Sequence, residues 1–157
     1  MTDSHVVWTL KHSSSVATPL VYEGRIYFVA RDGIANCVDA KTGDEVFQSR
    51  LQGGTTSNQS QNQERGGGGR FGGGGGFGGD YASPVIGDGK LYFVTRSGNM
   101  FVMNSGDKFE QLAVNRVTDE REDFSATPAI SNGQLFIRSS RHMYCIAAEQ
   151  APVAKTE

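Results

Sequence analysis

The sequence predicts an all-β protein, a partial β-propeller of about three four-stranded antiparallel blades. Three observations predict it. A short pattern recurs three times, its copies keep a nearly constant spacing once one insertion is set aside, and each holds β-branched and aromatic runs punctuated by Gly-containing turns.

The pattern Ser15-Val-Ala-Thr-Pro-Leu-Val-Tyr-Glu-Gly-Arg-Ile-Tyr-Phe-Val29 returns twice. Its second copy is Tyr81-Ala-Ser-Pro-Val-Ile-Gly-Asp-Gly-Lys-Leu-Tyr-Phe-Val94, and its third is Ser125-Ala-Thr-Pro-Ala-Ile-Ser-Asn-Gly-Gln-Leu-Phe-Ile137. Pro19, Pro84 and Pro128 stand 65 and then 44 positions apart. The longer interval contains a Gly-rich insertion between about Gly53 and Asp80, and removing roughly 20 residues brings both to the period of a propeller blade.

Each unit reads strand by strand. A proline opens the first strand, where no ladder donor is required. Tyr22-Glu-Gly24, Gly87-Asp-Gly89 and Ser131-Asn-Gly133 supply the positive-φ residue of a tight hairpin. The second strands, 25–30, 90–95 and 134–138, are too continuously apolar to be half solvated and should be covered on both faces. A turn at Arg31-Asp-Gly33, matched by Arg96-Ser-Gly98, leads to third strands at 34–39, 99–104 and 142–146. Ala40-Lys-Thr-Gly43 and Ser105-Gly106 then lead to outer strands at 45–51 and 109–114. Residues 6–10 have outer-strand character without a unit before them, so they are expected to close a blade, as N-terminal strands do in propellers that leave no free edge.

The organisation expected is therefore an outer strand and linker over 1–14, a first repeat over 15–52, a disordered insertion over 53–80, a second repeat over 81–118, a third over 119–147 and a flexible tail over 148–157.

Composition excludes several function classes. The 157 residues carry 15 basic and 17 acidic side chains, a net charge of −2, without the basic excess that draws a fold to a polyanion. Nucleic-acid binding by the whole domain is not expected. No apolar run approaches the roughly 20 residues that span a bilayer, and residues 1–10 lack a basic start followed by a continuous apolar stretch.

At the Ala/Ser-Thr/Ser-Pro starts, the Gly-x-Ile/Leu-Tyr/Phe strands, Cys37-Val-Asp-Ala-Lys-Thr-Gly43 and Tyr144-Cys-Ile146, the sequence resembles the pyrroloquinoline-quinone-type repeat of quinoprotein-like β-propellers, a group that includes the outer-membrane barrel-assembly lipoproteins. The resemblance covers residues 6–147 apart from the insertion. It implies the fold strongly, and it implies a bacterial, periplasmic or otherwise extracytoplasmic setting. Such propellers close with more blades than three, so the resemblance favours a C-terminal part of a longer protein. A homodimer completing a six-bladed ring is the alternative.

No catalytic, cofactor or metal constellation is read. Quinoprotein alcohol dehydrogenases resemble one another in adjacent cysteines, a catalytic Asp and Glu/Asn calcium ligands, and none of these maps here. No cofactor is predicted, and pyrroloquinoline quinone enters only through a longer parent protein. Cys37 and Cys145 fall at equivalent positions of different blades if the third unit's second turn is one residue shorter, which puts them beyond disulfide reach. Both are expected to be buried reduced thiols. His5, His12 and His142 have no ligand spacing and read as loop or surface histidines. The run Asp119-Glu-Arg-Glu-Asp123 offers carboxylates to a cation, but it lacks an EF-hand glycine and reads better as a solvated connection.

The insertion contains Arg65-Gly-Gly-Gly-Gly-Arg-Phe-Gly-Gly-Gly-Gly-Gly-Phe77, a composition that cannot bury enough apolar surface to offset ordering entropy. A flexible spacer is expected, with adhesion and base stacking by Arg65, Arg70, Phe71 and Phe77 as the lesser readings. Arg31 and Arg96 sit in matching turns and join those four as candidates for an interaction surface. The function read from the sequence is a non-enzymatic scaffold that binds a protein partner. Its alternatives are part of a quinoprotein oxidoreductase whose cofactor site lies in other blades, and weak RNA binding by the Gly/Arg/Phe loop.

Overall fold

The computed structural model describes residues 5–11, 16–30, 33–53 and 80–148. They form three antiparallel sheets and no α-helix. The first sheet comprises β1 (Leu20–Tyr22), β2 (Arg25–Val29), β3 (Ile34–Asp39) and β4 (Glu45–Arg50), hydrogen-bonded in chain order. The second repeats it with β5 (Val85–Gly87), β6 (Lys90–Val94), β7 (Asn99–Asn104) and β8 (Gln111–Arg116). The third has three strands, β9 (Ala129–Ser131), β10 (Gln134–Arg138) and β11 (Met143–Ala147), so β11 forms its outer edge. This is the architecture of a partial β-propeller.

The first hairpin of every blade is set by local chemistry. Glu23, Asp88 and Asn132 adopt φ of 46°, 50° and 50°, each followed by a glycine at positive φ. Two successive positive-φ residues make the turn whose twist matches that of the flanking strands. The outer hairpins share a different device: a register shift between Cys37 and Val38 against β4 recurs between Val102 and Met103 against β8. In the first blade the turn beyond the shift is closed by Asp39, whose Oδ1 accepts from the amides of Lys41 and Thr42.

Alternation along the central strands separates two cores. Leu91 and Phe93 of β6 and Phe101 and Met103 of β7 pack with Tyr27, Val29, Ala35 and Cys37 of the first blade. Val94 and Met100, on the opposite face of the second blade, pack with Ala82, Phe124 and Ile137 at the third. The middle blade is thus apolar on both sides because both are covered, as its unbroken hydrophobic run requires. Each fully buried Phe contributes about 1.5–3 kcal/mol relative to exposure.

The outer strand expected over residues 6–10 does not form. Instead Trp8 lies across the turn after β3, donating Nε1–H to the Ala40 carbonyl at 3.2 Å. The indole stands so close to Gly43 that a Cβ there would meet Trp8 Cδ2 at 2.6 Å. A large aromatic ring docked on a bare glycine of the first blade outweighs the weak strand propensity of a short segment. A second correction concerns Cys145. Cys37 and Cys145 do occupy equivalent positions, opposite Tyr27 and Phe136, and both thiols are free. Cys37 is buried and Cys145 exposed, because β3 has β4 and a neighbouring blade beside it whereas β11 is a sheet edge.

Candidate functional site

Polar groups converge at the seam between the second and third blades. Arg96, in the turn between β6 and β7, is its hub. Its backbone N–H donates to Asp80 Oδ1 at 2.6 Å, its Nε–H donates to Asp123 Oδ2 at 2.5 Å, and its guanidinium lies 5.8 Å from the centre of the Tyr81 ring. The turn is fixed by Gly98 at φ +86°, against which Phe124 packs. Phe124 in turn sets the height of Asp123, whose Oδ1 also accepts from Ser125 Oγ. Burial pushes the Asp80 carboxyl up to about 6, against the opposing pull of the Arg96 amide and charge. Among the described residues, none hydrogen-bonds its buried Oδ2.

On the same connection, Glu122 turns inward. Its side chain is fully buried, and Oε1 lies 2.6 Å from Nδ1 of His142, the residue just before β11. Ser139 forms the turn that presents His142: its Oγ accepts from the amides of Arg141 and His142 at 3.1 and 2.8 Å. The nearby Ser139 hydroxyl holds the Glu122 carboxyl below the ordinary carboxylate range, with His142 and Tyr144 adding to it and burial opposing. No described group reaches hydrogen-bonding geometry with Oε2. One carboxylate oxygen from each of Glu120 and Glu122 and a ring nitrogen of His142 lie within 4.8 Å of one another.

The structure therefore separates the residues singled out in the sequence. Arg96 is half exposed, with its guanidinium paired to Asp123 and lying over the Tyr81 face. Arg31, Arg65, Arg70, Phe71, Phe77 and His12 lie outside the described residues. The acidic run is not uniformly solvated: Glu122 is buried under the strand it faces, while Asp119 and Glu120 are exposed. Sequence reasoning missed the pairing of Glu122 with His142, because 20 positions separate them and their loops are brought together by the packing of Phe124 beside Tyr144 and by hydrogen bonds between Asp123 and Ser140. The chain on either side of the insertion is clamped to the second blade, by Asp80 on Arg96 and by reciprocal bonds between the Gln52 backbone and the Gln111 side-chain amide at 2.8 and 2.6 Å.

The repeated sheets and their recurring hairpin geometry agree with the comparisons. The family described as outer membrane protein assembly factor BamB matches residues 2–156. The chain belongs to that family. Among solved structures, BamB from Moraxella catarrhalis is similar at a TM-score of 0.60 and 17% identity, over 89% of this chain and 36% of that one. A quinohemoprotein alcohol dehydrogenase, ADHIIG from Pseudomonas putida HK5, is similar at a TM-score of 0.52 and 15% identity, over 85% of this chain and 18% of that one. These likenesses show the fold. The chain spans about a third of the length of the BamB structure. No curated protein matches the sequence.

The BamB-family fold is a propeller of the quinone-type repeat, and the two cysteines stand on different sheets of it. Cys37 is buried opposite Tyr27 in the first sheet, and Cys145 is exposed opposite Phe136 in the third. The two thiols cannot supply the adjacent-cysteine ring on which such a site is built.

Proposed function

We propose that the chain is a non-enzymatic propeller scaffold that binds a protein partner in the bacterial envelope, on the outer-membrane-associated, extracytoplasmic side. The observation that carries this reading is the BamB-family match along almost the whole chain, residues 2–156. BamB is by its description an assembly factor for outer membrane proteins, and an array of sheets joined by exposed loops suits binding rather than bond chemistry. The partner-facing surface is formed by the turn arginines Arg31 and Arg96 together with Arg65, Arg70, Phe71 and Phe77 of the glycine-rich segment.

The test is affinity purification of the full chain from an envelope fraction under crosslinking. A stoichiometric envelope-protein partner is expected, with retention weakened by deletion of residues 65–77. Absence of any stable partner, together with substrate-dependent dye reduction after addition of the quinone and calcium, overturns the reading.

A further inference from the structure

The Glu122 carboxylate is anomalous. Its Oε1 is met by His142, but no described group reaches hydrogen-bonding geometry with its buried Oε2, the Ser139 and Tyr144 hydroxyls acting on the carboxyl from nearby, and a buried anionic oxygen short of a partner is costly. Glu120 brings a second carboxylate into the same 4.8 Å sphere. Like charges at that separation disfavour each other unless a cation lies between them. A plain ion pair with His142 accounts for Oε1 alone. A divalent cation accounts for the orphaned oxygen, for the second carboxylate and for the imidazole together.

We propose that Glu120, Glu122 and His142 form a divalent transition-metal site that fastens the connection between the second and third blades to the turn before β11. Two carboxylates and an imidazole make a mixed oxygen and nitrogen set that suits Zn²⁺ better than the oxygen-only preference of Ca²⁺ or Mg²⁺. Bonds of about 2.0–2.2 Å to a tetrahedral ion put neighbouring ligand atoms roughly 3.3–3.6 Å apart. Binding therefore draws the three ligand atoms together from within 4.8 Å, a movement within the reach of side-chain rotation at exposed Glu120 and His142. Glu120 and His142 are exposed, which leaves a route for entry and room for a solvent ligand, while buried Glu122 holds a fixed position at the base of the site. The proposal does not depend on the scaffold reading, since it concerns how two blades are joined.

The test is titration of the EDTA-stripped full chain with ZnCl₂ by calorimetry, with Co²⁺ absorption as a second probe and thermal melting as a third. One equivalent of Zn²⁺ is expected to bind and raise the melting temperature, and Co²⁺ is expected to give a tetrahedral visible band. Changes to groups that only support ligands cost about 10–100-fold in affinity, so Glu122→Gln and His142→Gln are each expected to lose at least about tenfold, while His5→Gln binds as the parent does. If Glu122→Gln does not fold, His142→Gln and Glu120→Gln decide the matter. No saturable Zn²⁺ uptake by the parent chain, or equal affinity in the parent and the ligand variants, overturns the proposal.

Discussion

The Thr18 backbone N–H donates to Ser83 Oγ at 2.8 Å, across 65 residues of chain. The same step repeats one blade on, where the Ser83 N–H donates to Thr127 Oγ1 at 3.0 Å. The hydroxyls of Ser83 and Thr127, each just before a repeat proline, are therefore interblade acceptors, and the proline that follows each of them leads directly into β5 or β9. The recurrence of Thr-Pro, Ser-Pro and Thr-Pro records a contact between blades as well as a local turn.

Ser83→Ala removes the acceptor while leaving its backbone donor in place. The expected loss is about 0.5–1.5 kcal/mol, towards the lower end because water reaches the bond. Ser83→Thr keeps the hydroxyl and is expected to restore the parent value. Urea unfolding of the three proteins checks this, and equal midpoints for all of them would remove the bond from the account of blade alignment.

Gly98 and Gly133 both hold positive φ, but only Gly98 faces a ring: a Cβ there would lie 2.8 Å from Phe124 Cε2, whereas nothing stands within 4 Å at Gly133. Gly133→Ala is expected to cost only the left-handed backbone penalty of about 1–2 kcal/mol. Gly98→Ala adds displacement of a fully buried ring and should cost distinctly more. Phe124→Ala, which empties the same site, is expected to cost about 3–5 kcal/mol. Thermal unfolding of the set orders them, and an equal loss at the two glycines contradicts the packing described.

The two thiols should part company under labelling. Burial pushes the Cys37 thiol up, beyond the opposing effect of Tyr27, while Cys145 stands exposed on β11. Because the thiolate is the reactive form, native protein at mildly alkaline pH is expected to take one equivalent of a maleimide, at Cys145, and a second only in denaturant. Peptide mapping after labelling identifies the site, and prompt reaction of both thiols in the native state would show that the first interblade core opens.

Asp80 makes stability depend on pH in the sense opposite to most carboxylates. Burial raises its folded pKa to about 6 from 3.8, so the native state prefers the proton. Its contribution to stability is fully present below the unfolded value and is lost as pH rises through about 6. Asp80→Asn is therefore expected to stabilise the chain at pH near 8 and to differ little from the parent near pH 4. Denaturant midpoints of both proteins across that range test it, and a constant difference at all pH values would assign the effect to something other than this carboxyl.

The seam also shows what sequence reading reaches. Arg96 was visible because it fills the same turn position as Arg31, a comparison that repeats make available. Its partners were not, since Asp80, Tyr81 and Asp123 come from segments with no fixed spacing to that turn. Glu122 reads as one acid among several in a charged run. Its burial follows from Phe124, two residues later, being driven fully into the second core.

The sequence by itself determined the repeat, the three tight hairpins and the doubly covered second strand of the middle blade, because turn chemistry and hydrophobic runs act over a few residues, whereas β10, expected to be covered on both faces, lies in the edge blade and is mostly half-buried. Only the tertiary structure decided the fate of residues 6–10, the unequal burial of Cys37 and Cys145, and the meeting of Glu122 with His142. Those outcomes depend on which surfaces neighbouring blades cover and which edge remains open. Distances across a seam are set by packing between units, and a one-dimensional pattern of residues does not carry them.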